Sequence, residues 1–139
     1  MDVLRNIEAP HLKTQLPAFG PGDTVRVAVR VVEGDKVRSQ LFQGVVIARA
    51  HSGVRESFTV RKVSEGVAVE RIFPLHSPNV TGIEVVRHGR VRRAKLTYMR
   101  GRKGRSARIR ERGRATSGGA SAAQVEPESD TSGGTAPTE

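Results

Sequence analysis

A chain of 139 residues has room for one domain with appendages. Only 36% of it is hydrophobic and there is no Trp, so its core must be small and built mostly of Val, Ile and Leu; without cysteine, disulfides and Cys-based metal sites are excluded. The formal charge of +10 and the pI of about 11.3 call for an anionic partner, because self-repulsion of that size destabilises a compact chain unless it is neutralised.

Residues 1–16 read as weakly helical. Val3, Leu4 and Ile7 have i, i+3, i+4 spacing, and Pro10 suits the first turn of a second short helix, so one or two helices are expected to end by about Gln15. "MDVLRNIEAP" has neither the basic flank nor the apolar stretch of a signal peptide, and no run approaches the ~18–20 apolar residues of a membrane span. A cytoplasmic protein is expected. "PAFGPGDTV" is punctuation, with a turn at Pro21-Gly22-Asp23.

Strands follow. In "TVRVAVRVV", Val25, Val27, Val29 and Val31 share one face and Arg26 and Arg30 the other, and "EGDK" reads as a hairpin turn. "VRSQLFQGVVIARA" is a long strand whose apolar parity changes near Gly44, where a bulge or bend would let one strand serve both halves of a barrel. "SFTVRKV" directs Phe58 and Val60 inward, and "VERIFPL" and "IEVVRHG" are further short strands. Five short strands between Thr24 and Arg87, with no helical pattern of about 10–15 residues between them, predict a mainly β fold: a small antiparallel barrel over 17–99.

From Arg87 to Arg114 there are thirteen Lys/Arg and one acid. The track begins on the last strand with Arg87, Arg90, Arg92, Arg93 and Lys95. It continues through Arg100 into a basic extension, 100–112, that holds Arg102, Lys103, Arg105, Arg108, Arg110 and Arg112. As a short helix, Arg105 to Arg112 has no apolar face to dock on a core, so a polyanion is its expected ordering partner. Arg outnumbers Lys nineteen to five, and the planar Arg fork suits phosphate contact and base stacking. A membrane surface would want large apolar residues opposite the cations, and these are missing. With aromatics at 4%, phosphate and shape recognition of RNA is the better expectation than serial base stacking on a sheet. Residues 113–139, rich in Gly, Ser, Ala and Thr and carrying Glu126, Glu128, Asp130 and Glu139, are expected to be a disordered acidic tail.

No catalytic reading emerges. His11, His51, His76 and His88 show no H-x-x-x-H spacing, so no metal site is assigned. The phosphate-cradling, dinucleotide and nucleophile-elbow glycine motifs are absent, so no cofactor, small-molecule substrate or catalytic residue is assigned.

Several blocks, "PGDTVRVAVRVVEG", "FQGVVIAR", "ESFTVRKVS", "GVAVERIFPLHSPNV" and "RRAKLTYMRGRKGRSARIRER", resemble in order the nineteenth family of bacterial large-ribosomal-subunit proteins over roughly residues 3–112. The resemblance implies an SH3-like barrel with helical terminal extensions, placed on the ribosome at the subunit interface. It implies contacts to large-subunit rRNA and neighbouring ribosomal proteins, and a bridge to small-subunit rRNA. It makes the basic positions from Arg87 to Arg112 expected rRNA contacts, with Arg61 and Lys62 of "TVRK" and Arg71 as weaker ones. Thr97-Tyr98 stands where the family has two aromatics, and Gly101 replaces a longer polar residue. The alternative is a detachable regulatory factor with a KOW-type or SH3-like RNA-binding barrel.

Overall fold

A computed structural model describes residues 2–113; all but the first residue of the expected acidic tail, 113–139, lies outside the described residues. The chain opens with a short helix, α1 (Val3–Glu8), and a 3-10 turn (Ala9–His11) that holds Pro10 in its first turn. The helical segment ends about four residues earlier than the pattern predicts, because Lys13 is held elsewhere. Its backbone N–H donates to His76 Nδ1 at 3.0 Å, and its ammonium donates to the carbonyls of Ser77 and Val80. Burial lowers the pKa of that ammonium.

Five strands follow: β1 (Thr24–Glu33), β2 (Lys36–Ala50), β3 (Ser57–Ser64), β4 (Val67–Pro74) and β5 (Val80–Arg87). They form one antiparallel sheet in the order β4-β3-β2-β1-β5. The expected inward face of β1 is observed for Val25, Val27 and Val29, which are buried and meet Phe58, Val60, Phe73, Leu75 and Val80 in a single core, whereas Val31 near the hairpin end is only half-buried and outside it. All four phenylalanines join this region, with Phe19–Phe58 at 5.1 Å and Phe42–Phe73 and Phe58–Phe73 at 5.5 Å between ring centroids. Residues from both ends of the sheet, Phe73 of β4 and Val80 of β5, share this core, so the sheet curls into a small barrel-like shape.

Strand β2 makes the curl possible. Its first part, to Val45, pairs with β1, and Val45 to Ala50 pair with β3. Gly44 marks the crossover as the sequence predicts, for a steric reason: a Cβ there would collide with the carbonyl oxygen of Arg61. The register shift itself lies two to three residues further on, between Val46 and Ala48, and leaves Ile47 without a partner on β3. Val46 and Ile47 are both buried, on opposite sides of the strand. Val46 enters the main core, and Ile47 enters a second, smaller cluster with Leu96 and Met99.

Strand β5 begins at Val80, earlier than its alternation indicates, because Arg30 N–H donates to Asn79 O at 2.7 Å and Val80 is drawn into the core.

Candidate nucleic-acid interface

The basic segment leaves the sheet at the end of β5, runs outward and returns. Arg90 N–H donates to Arg110 O at 2.7 Å and Arg112 N–H to His88 O at 2.9 Å, around an antiparallel bridge between Gly89 and Glu111. Residues 90–110 are thus a loop closed at its root. The root is seated on the barrel by close backbone approach: a Cβ at Gly89 would strike the carbonyl oxygen of Gly22 and crowd Ile109. Asp23 clamps it. This buried carboxylate accepts Gly89 N–H and Gly20 N–H, both at 2.9 Å, and lies 3.2 Å from His88 Nδ1.

Inside the loop, Leu96 is fully buried and its N–H donates at 2.7 Å to the carbonyl of Ile47, the residue the bulge releases from the β3 ladder. Met99 is buried beside it, and Val91, Tyr98, Ala107 and Ile109 pack against the cluster. The expectation that Arg105 to Arg112 has little to hold it within this protein is therefore corrected. The helical content of the extension is a four-residue 3-10 turn, Gly104–Ala107, preceded by another at Thr97–Gly101, and the chain from Arg108 is extended. A helix would set Ile109 beside its arginines. An extended chain, with period 2, turns Ile109 inward and Arg108 and Arg110 outward.

The predicted cations fall into groups. Arg90, Arg92, Arg93, Arg102 and Arg110 line one cleft with Val91 and Tyr98. The Arg102 and Arg93 guanidiniums lie 4.6 and 5.4 Å from the Tyr98 ring centroid. Arg87 and Arg108 border a second hollow by Gly89 and Ile109, and Arg87 lies 3.8 Å from Glu111. Lys95, Lys103, Arg105 and Arg112 are exposed along the loop.

Arg100 is different. It grips Glu70 of β4 through three hydrogen bonds of 2.9–3.1 Å, while Arg61 of β3 donates to the same carboxylate at 2.8 Å. The Arg100 hydrogen bonds are the main reason that the Glu70 pKa is lowered; partial burial opposes them and Arg61 assists them. The Arg100 pKa is raised in turn, chiefly by its hydrogen bond to Glu70. Lys62 and Arg71 lie over the rings of Phe42 and Phe73, at 5.8 and 5.0 Å. The structure brings Arg61 and Lys62 to a hollow that also contains Arg102, whereas Arg71 borders none of these three hollows.

Three participants escape a reading for cations. Asp23 looks like an ordinary turn residue, Glu70 an ordinary strand residue, and Tyr98 is a lone aromatic. Nothing local in the sequence pairs Asp23 with Gly89 or Glu70 with Arg100, 30 or more positions away, whereas the Tyr98 partners Arg93 and Arg102 are five and four positions off and could have been found from that spacing.

A basic loop held on a small barrel-like sheet matches one known family along nearly all of its described length. Residues 2–112 fit the family model described as Ribosomal protein L19. The chain belongs to the ribosomal protein L19 family. Among its relatives is the large ribosomal subunit protein bL19 of Citrifermentans bemidjiense, 56% identical over 112 residues that span 81% of this chain and 95% of that protein. The family is the one that the sequence blocks resemble, and membership makes this chain a structural, non-enzymatic ribosomal protein. No helix among the described residues is long and apolar enough to cross a membrane. Residues 113–139 lie beyond the matched region.

Proposed function

We propose that this chain, a structural protein of the large ribosomal subunit, binds large-subunit rRNA through the loop of residues 88–112 and contributes to a bridge to small-subunit rRNA at the subunit interface. The observation that carries the rRNA contact is the cluster of five arginines around Tyr98, none of which is ion-paired among the described residues. A preformed concentration of uncompensated guanidinium groups favours phosphate, and Arg supplies two-pronged hydrogen bonds to it.

In this reading residues 17–99 are the scaffold and 100–112 the basic extension, with Arg87, Arg90, Arg92, Arg93 and Lys95 adding cations from the scaffold side. Arg102, Lys103, Arg105, Arg108, Arg110 and Arg112 continue the contact. Arg61 and Arg100, which share Glu70, and Arg71 and Lys62, which lie over aromatic rings, contribute less. Family membership supports the bridge and the contacts to neighbouring ribosomal proteins.

RNA crosslinking mapped to residues in intact ribosomes tests this. Crosslinks to large-subunit rRNA are expected within residues 87–112, with a set to small-subunit rRNA that vanishes when the subunits are separated. Crosslinks that avoid residues 87–112 overturn the proposal. A protein that is substoichiometric and mostly free in lysate would instead be a detachable RNA-binding factor.

A further inference from the structure

The cleft around Tyr98 has a shape that phosphate binding alone does not require. It is a half-open hollow of about 600 Å3. An RNA double helix is a convex cylinder too broad to enter such a space. A surface that only follows a duplex backbone needs charge but neither a concavity nor an aromatic ring. This cleft has both. The guanidiniums of Arg102 and Arg93, 4.6 and 5.4 Å from the Tyr98 centroid, belong to exposed side chains. A guanidinium plane against a ring keeps its N–H edges available for phosphate, and its second face remains open to another π-system. Arg90, Arg92 and Arg110 add three further cations in the same cleft.

Resting on the RNA-binding reading above, we infer that the cleft receives one unpaired nucleotide extruded from the RNA. Its phosphate lies among the arginine forks, and its base packs against a guanidinium held over the Tyr98 ring. Single-stranded loops and bulges are where proteins reach RNA bases, because there the bases are already splayed from the stack. The selectivity is for an unpaired position rather than for a particular base, since every base offers a π-face.

The test uses the full chain and three RNA hairpins of equal stem length at one fixed salt concentration. One hairpin is fully paired, one carries a single unpaired adenosine in mid-stem, and one carries an abasic nucleotide at that position. Fluorescence anisotropy is expected to show the adenosine bulge bound at least about five-fold more tightly than the paired stem, as stacking of one base implies. The abasic bulge, which interrupts pairing at the same position but has no base, is expected to lose that gain. The double variant Arg93→Lys, Arg102→Lys keeps the charge and removes the planes. With its thermal melt checked against wild type, its ratio of bulged to paired affinity is expected to fall toward one. Equal binding of all three hairpins by the wild-type chain overturns the inference while leaving RNA binding intact. So does an abasic bulge bound as tightly as the adenosine bulge. Failure of all three to bind overturns the RNA-binding reading itself.

Discussion

Asp23 shows how one side chain determines the placement of many cations. Its carboxylate is buried, yet both oxygens have partners: Oδ1 accepts Gly89 N–H, and Oδ2 accepts Gly20 N–H and faces His88. The backbone around it is tied to β2 as well, with Gly22 N–H donating to Val46 O and Val46 N–H to Asp23 O. One carboxylate thus links the turn before β1 to the root of the loop after β5. Asp23→Ala would leave the buried Gly89 N–H without an acceptor, at about 1–3 kcal/mol, and would return the half-buried Gly20 N–H to water at a smaller cost. The expected loss is about 1–4 kcal/mol, read as a lower urea midpoint at unchanged m-value. A variant whose midpoint matches wild type would show that the clamp contributes little.

At the level of elements, Glu70 joins three of them. It sits opposite Arg61 in the β3–β4 ladder and reaches Arg100 in the turn at Thr97–Gly101. Cross-strand pairing of opposite charges supports the hairpin, and the Arg100 contact fastens the loop to the far edge of the sheet. The folded protein holds the Glu70 carboxyl below its ordinary pKa. Its contribution is therefore present above the unfolded value of about 4.3, and it is lost as the pH falls through the lower folded value. Glu70→Gln is expected to lose about 0.5–1 kcal/mol at neutral pH, the modest scale of a partly exposed ion pair. It is also expected to flatten the acid limb of the stability curve, so that wild type and variant converge as the pH drops toward 3. Parallel acid limbs in thermal melts would rule out this assignment.

For the whole molecule the decisive quantity is how many positive charges are left uncompensated. Twelve Lys/Arg lie between Arg87 and Arg112, and among the described residues only Arg87 and Arg100 of these approach an acid. If about eight neutralise phosphates, log K against log salt should fall with a slope of about −6 to −7. Replacing Arg90 and Arg110 together by Ala should reduce the magnitude of that slope by about 1.5–2. Titrations of the adenosine-bulged RNA hairpin across salt concentrations measure both numbers, and a salt-independent affinity would contradict the electrostatic account.

Much of this protein is determined by local sequence. Period-2 valines specify β1, a run of short strands without intervening helices specifies a mainly β fold, and an uncompensated arginine track points to an anionic partner. These features are legible because alternation and charge are properties of neighbouring residues. The extended form of Arg108 to Arg112 is not. As an isolated peptide it has one Ile among charges, and only the second apolar cluster, built on Ile47, Leu96 and Met99, gives that Ile somewhere to go. The same holds for the arginine cleft. Residues 90, 102 and 110 become neighbours because the loop closes on Gly89 and Glu111 and is clamped by Asp23. Sequence alone dictates that this chain carries excess positive charge. Tertiary structure decides which cations are paired to acids and which face outward, because pairing depends on distances that only folding sets.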